Sequence, residues 1–200
     1  MKQKFSRILV GMIVISAVFV YAHIAKTHDV YDRSIDTSEY KDTTIYLNEE
    51  LSQTFICRED YLDGMRVKCR LVGEAKDVKI EYFLIESETG IQLVQGTVDG
   101  SQIKNGKFFQ FPFDTIEDTQ GKKYEFKIVE EGEDAENSVN FCYTVKQEEN
   151  TNMYLNGEEI EGTVVLRTVT NRFDMETFCM LLIFVLYTIM FMRFLYKLFK

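Results

Sequence analysis

Two hundred residues, 46% apolar and 28% charged with one proline and eleven glycines, describe an ordinary folded chain with room for one medium domain, neither disordered nor low-complexity. Only two histidines occur, His23 and His28, close together near the N-terminus; this nearly excludes histidine-based acid–base chemistry and the common histidine-rich metal sites. The net charge of −9 is sharply divided: all 32 acidic residues lie between Asp29 and Glu176, six of the 23 basic residues sit at the two ends, and the middle therefore holds 17 basic against 32 acidic residues, a net of −15. An acidic middle disfavours nucleic acid, which needs a positive footprint, and argues against flat adsorption on an anionic membrane surface.

Residues 1–7 carry Lys2, Lys4 and Arg7 and precede Ile8 to Ala25, an 18-residue stretch with no formally charged side chain. As a helix it spans roughly 27 Å, enough for a bilayer core. Val20-Tyr21-Ala22 also fits the small-residue end of a secretory signal, so removal of residues 1–22 stands beside retention as an anchor. Residues 26–42 are polar, without apolar period, and read as a stalk. At the other end, residues 171–176 read as a linker and 177–196 as a second transmembrane helix, with a basic tail at 197–200. The basic flanks predict two passes, both termini cytoplasmic and the middle extracytoplasmic. Neither apolar segment carries a GxxxG pairing face.

Between 43 and 170 the pattern is that of strands. Met65, Val67, Cys69 and Leu71 alternate with basic residues; Val78, Ile80, Tyr82 and Leu84 form a second run; Tyr124, Phe126 and Ile128 a third; Val139, Phe141, Tyr143 and Val145 a fourth. Less regular runs lie at 43–47, 53–57, 91–98, 108–113, 153–156 and 162–169. Turn pairs separate them, among them Asp63-Gly64, Thr89-Gly90, Asn105-Gly106 and Asn156-Gly157. Pro112, the only proline, falls in a strand-like run and predicts an edge or a bulge. The fold class expected is mainly β: an antiparallel β-sandwich, jelly-roll-like, flanked by two transmembrane helices.

The order of motifs carries a resemblance. Gln53-Thr54-Phe55 is followed by Leu62-Asp63-Gly64, a hairpin at Thr89-Gly90, Phe109-Gln110-Phe111-Pro112-Phe113, Gly121-Lys122-Lys123-Tyr124 with Phe126, and Tyr154-Leu155-Asn156-Gly157 with Gly162. Over about 43–170 this resembles the extracytoplasmic β-sandwich module, similar to carbohydrate-binding jelly rolls, that accompanies multi-spanning glycosyltransferases and surface-polysaccharide membrane proteins of Gram-positive bacteria. The resemblance implies a non-catalytic accessory role in envelope polysaccharide assembly. The many-helix catalytic body of the larger members is not matched here. A membrane-anchored protein-binding subunit of a signalling or transport complex is the alternative.

Candidate sites are few. A sugar site needs an aromatic platform with carboxylate partners, and Tyr61, in a polar loop beside Asp60 and Asp63, suits this best; Phe83, Phe108 and Tyr154 are the other aromatics outside the core parity, and packing is their other use. Cys57 and Cys69 share the core parity, which leaves open a disulfide across the YLDG turn or two small buried apolar residues; Cys142 has the opposite parity to Phe141, and Cys179 lies in the second apolar segment. No zinc spacing is present and no cofactor is expected. The acidic loops at Asp114, Glu117 and Asp118, and at Glu130, Glu131, Glu133 and Asp134, read as solvated surface with calcium as the other reading. The partners expected are the bilayer, an envelope glycan, and a multi-spanning glycosyltransferase or polysaccharide exporter.

Overall fold

The computed structural model describes residues 2–43 and 50–199. The elements in chain order are α1 (Lys2–Ala22), β1 (His23–Asp29), β2 (Lys41–Asp42), β3 (Glu50–Ile56), β4 (Tyr61–Val72), β5 (Lys79–Glu86), β6 (Gln92–Asp99), β7 (Lys107–Glu117), β8 (Lys123–Glu131), β9 (Ser138–Thr144), β10 (Met153–Leu155), β11 (Glu158–Ile160), β12 (Thr163–Val164), β13 (Leu166–Phe173) and α2 (Met175–Leu198). They form two compact units, Thr27–Thr170 and the two ends, Met1–Lys26 with Asn171–Lys200.

The larger unit is a sandwich of two antiparallel sheets. One runs β11-β10-β3-β8-β5-β6; the other follows β1-β13-β4-β9-β12, with β7 paired to β4 and β2 to β9. The alternation read from the sequence decides which side chains meet between them. Met65, Val67 and Cys69 of β4, Ile80, Tyr82 and Leu84 of β5, Tyr124, Phe126 and Ile128 of β8, and Val139 and Phe141 of β9 are all buried in one core. At its centre the Phe111 ring lies 5.2 Å from Tyr82, 5.2 Å from Phe109 and 5.6 Å from Phe126. The Phe111 ring, fully buried, stabilises the fold by about 1.5–3 kcal/mol. Gly96 stands opposite Tyr82, and a Cβ there would meet the tyrosine ring at 2.2 Å, so only glycine lets that ring lie across β6. Pro112 sits in β7 opposite Gly64, beside the register shift between Leu62 and Gly64; a residue without an N–H fits where ladder bonding is already interrupted.

Several boundaries differ from the expectation. The stalk expected at 26–42 is folded onto the sandwich. Tyr31 and Tyr40 are buried, edge to face at 6.1 Å, and with Cys142 and Val165 make a second small core against the outer side of the sheet. The Arg167 guanidinium lies over Phe108 at 3.9 Å, pairs with Asp29 and donates to the Tyr31 hydroxyl at 3.0 Å. Two tyrosines packed singly leave no periodic trace, which is why this segment reads as polar. Of the strand expected at 43–47 only Thr43 is among the described residues; its N–H donates to the Phe141 carbonyl at 2.9 Å.

In the smaller unit α1 ends at Ala22, three residues before the expected Ala25, and the chain continues as β1. Among the described residues the apolar part of α1 is Leu9–Ala22, 14 residues. Among the described residues one helix, Met175–Leu198, is long and apolar enough to cross a membrane. The expected linker at 171–176 is instead the end of β13 and a cap: Asp174 accepts from the N–H groups of Glu176 and Thr177 at 3.1 and 3.2 Å. Lys26 Nζ lies 2.9 Å from Asp174 and holds that carboxyl well below its usual range.

The acidic run that ends β8 and follows it also departs from a solvated surface. Glu130 is fully buried and Glu133 nearly so. One Glu130 oxygen accepts the Val139 N–H at 2.7 Å; burial, with the neighbouring Glu133 charge, pushes its carboxyl up from the ordinary 4.5 to about 8. A carboxyl whose folded pKa is raised stabilises the fold fully below about 4.5 and loses that contribution as pH climbs to about 8. The sandwich should therefore lose roughly 3–5 kcal/mol between pH 5 and 8.5. In thermal melts across that range Glu130→Gln should keep its Tm while the wild type falls; parallel curves would contradict the buried-carboxyl account.

Candidate functional site

At one end of the sandwich the ends of β1, β3 and β13 and the loop between β9 and β10 enclose a cleft of about 630 Å³. His28 and Asp29 come from β1, Phe55, Ile56 and the following Arg58 from β3, Thr168 from β13, and Lys146 to Thr151 from the loop. The cleft is polar because the loop is: Gln147, Glu148, Glu149, Asn150 and Thr151 follow one another there.

The loop is held from within. Thr163 Oγ1 donates to the Lys146 carbonyl at 3.0 Å and accepts from the Glu148 N–H at 3.0 Å, while Thr151 Oγ1 donates to the Glu148 carbonyl at 2.8 Å. Gln147 Nε2 donates to the Thr151 carbonyl at 2.9 Å. Asn150 closes the turn at φ 62°, a conformation asparagine adopts more readily than most side chains. Lys146 Nζ lies 2.6 Å from Asp32 and 3.3 Å from Glu148. That ammonium, with Ser34, holds the Asp32 carboxyl well below its usual range.

Beneath the loop lies Gln53, almost wholly buried. Its Nε2 donates to the Thr54 carbonyl at 3.0 Å and the Asn152 carbonyl at 3.1 Å, and its Oε1 accepts from the Val164 N–H at 2.9 Å. One carboxamide thus ties β3 and the start of β10, in one sheet, to β12 in the other, and sets the base of the loop. Gln53→Ala should destabilise by about 1–3 kcal/mol, because it leaves the Val164 N–H buried and unpaired. It should also raise amide exchange across 146–152, measured by hydrogen–deuterium exchange; unchanged exchange there would show that the loop does not depend on Gln53.

The groups facing the cleft donate and accept in close alternation. Arg58, Glu149 and Asn150 are exposed at its rim, His28 is half-buried with Nε2 2.8 Å from Glu59 Oε1, and Ile56 adds exposed apolar surface. Among the described residues no hydroxyl or thiol is hydrogen-bonded to His28, and no group of three or more His, Cys, Asp or Glu is placed to hold a metal. This arrangement offers hydrogen bonds to a polar, hydroxyl-rich ligand.

The residues singled out in the sequence lie elsewhere. Tyr61 opens β4, exposed, opposite Glu117 of β7. Asp60, also exposed, precedes it and accepts the Thr119 N–H at its carbonyl, 3.1 Å; Asp63, beyond the buried Leu62, accepts from Thr115 Oγ1 at 2.5 Å. None of the three lines the cleft. Cys57 and Cys69 are free and buried. Cys57, past the end of β3, donates to the Glu59 carbonyl and to Thr119 Oγ1, both at 3.4 Å, whereas Cys69 sits mid-strand in the opposite sheet between Phe141 and Lys107; the bridge across the YLDG turn is not formed. Phe83 is half-buried, Phe108 lies under Arg167, and Tyr154 borders a smaller groove of about 330 Å³ with Ser52, Thr54 and Glu125 on the outer side of the six-stranded sheet. Sequence reading missed the cleft because its walls come from four distant segments; the only local trace is the polar run Gln147 to Asn152.

No known family and no curated protein matches the sequence. Among solved structures, the chain is similar to the clostridial cysteine protease Cwp84 after propeptide cleavage, with a TM-score of 0.46 and 12% identity, covering 74% of this chain and 40% of that one. A structure of the cysteine protease and lectin-like domains of Cwp84, a surface-layer-associated protein of Clostridium difficile, gives a TM-score of 0.42 and 15% identity over 69% of this chain and 37% of that one. A carbohydrate-binding module in complex with calcium and xylotriose gives 0.31 and 9% over 65% of this chain and 98% of that one. The chain thus spans about two fifths of the length of the Cwp84 structures.

Proposed function

We propose that this chain is a non-catalytic binding protein of the cell envelope, whose sandwich takes a hydroxyl-rich glycan in the cleft and whose α2 fixes it to the membrane. The observation that carries the reading is the cleft itself: a polar cavity whose rim loop is locked before any ligand arrives, so that little ordering entropy is lost on binding. The basic flanks of both apolar segments support a two-pass arrangement with the termini cytoplasmic and the sandwich outside. In that place it serves polysaccharide assembly as an accessory to a multi-spanning glycosyltransferase or exporter. One observation favours the alternative of a protein-binding subunit: β6 ends the six-stranded sheet and exposes Leu93, with Ile91 just before it.

The test uses the full chain in non-ionic detergent against soluble polysaccharide prepared from Gram-positive cell envelopes, read by biolayer interferometry. Binding should weaken about 2- to 10-fold for Arg58→Ala and for Asn150→Ala, the range expected for one lost hydrogen bond, and stay within 2-fold for Tyr61→Ala. Weakening by Tyr61→Ala and Asp60→Ala alone would move the site to the β3–β4 loop. No binding by the wild type would overturn the glycan reading.

A further inference from the structure

In the smaller unit α1 and α2 lie side by side. Phe19 packs against Phe178 at 6.4 Å and Phe173 at 5.2 Å near one end, and Gly11 and Val14 share a groove with Leu182, Val185, Ile189 and Arg193 towards the other, so the helices run antiparallel. The groove measures about 840 Å³. Positions 182, 185, 189 and 193 recur at three- and four-residue steps and so form one face of α2. On the α1 side the groove is open at Gly11, where a Cβ would meet nothing within 4 Å.

Its lining is apolar but for one group. Arg193 is the single charged residue in it, 18 positions past Met175 and therefore about 27 Å along α2, the depth at which a bilayer core gives way to phosphate headgroups. The charge at this end is of one sign. Lys197 lies one turn after Arg193, and in the sequence no acidic residue occurs before Asp29 or after Glu176. A hydrocarbon-lined groove ending in a guanidinium suits one kind of molecule: an acyl chain carrying a negative headgroup. Guanidinium matches phosphate oxygens two at a time, which ammonium does not.

We propose that the groove between α1 and α2 is a binding site for an anionic phospholipid, its acyl chain along Val14, Val185 and Ile189 and its phosphate on Arg193. This rests on the membrane reading of the previous subsection. The full chain, purified in mild non-ionic detergent, is mixed with equal amounts of phosphatidylglycerol and phosphatidylcholine and the retained lipid is read by native mass spectrometry. The wild type should retain phosphatidylglycerol at least 5-fold over phosphatidylcholine. Arg193→Gln should bring the ratio to about one, Arg193→Lys should recover part of it, and Gly11→Leu should lower retention of both lipids. Equal retention by the wild type, or an unchanged preference in Arg193→Gln, would overturn the site. Extraction from native membranes by alkaline carbonate without detergent would instead overturn the membrane reading, and the lipid site with it.

Discussion

The carboxamide of Gln53 is the interaction on which the cleft end of this molecule depends. Two sheets pressed together by apolar burial can slide or splay at their ends, because the hydrophobic effect is non-directional. A buried amide with three hydrogen bonds is directional, and leaving any one of them unmade costs more than making it gains. By joining the Asn152 carbonyl to the Val164 N–H, Gln53 fixes the span that the β9–β10 loop must bridge. The threonines at 151 and 163 then fold the loop on itself over that fixed base.

From that base the charges of the cleft follow. Lys146 is drawn to Asp32 in the segment that crosses the outer side of the sheet, and Arg167 is drawn to Asp29 beside it. The segment 30–42 is thereby more than a tether: its tyrosines cover Cys142 and Val165, and its carboxylate steadies the rim of the cleft. Ion pairs open to solvent in part, as these are, add little stability singly; their effect here is to orient side chains whose backbone is already placed.

The strands were legible because the inner and outer faces of each differ. Met65, Val67 and Cys69 against Arg66 and Lys68, or Tyr124, Phe126 and Ile128 against Glu125 and Lys127, announce a half-buried strand wherever they occur. Gln53 was visible as part of a motif, yet nothing local says that its amide is buried, because a glutamine at a core-facing position looks like a break in the pattern. The end of α1 was hidden for a different reason: Ile24 and Ala25 are as apolar as the helix before them, and it is the turn into β1 that ends it. Glu130 looked solvated beside Glu131, Glu133 and Asp134; only the crossing of the chain from β8 in one sheet to β9 in the other, which brings the Val139 N–H onto it, buries the carboxyl. The cleft was the least legible of all, since His28, Arg58, Lys146 and Thr168 converge through sheet pairing and no spacing along the chain relates them.

The place where a glycan touches the sandwich decides most directly whether the cleft is the binding site. Amide chemical-shift mapping of the isotopically labelled full chain in detergent micelles, titrated with envelope polysaccharide, measures this residue by residue. Shifts confined to 28–30, 56–58 and 146–151, with smaller ones at Thr168, are the expected result. Shifts centred on Tyr61 and Asp63, or on Tyr154 across the outer sheet, or none at saturation, would contradict it.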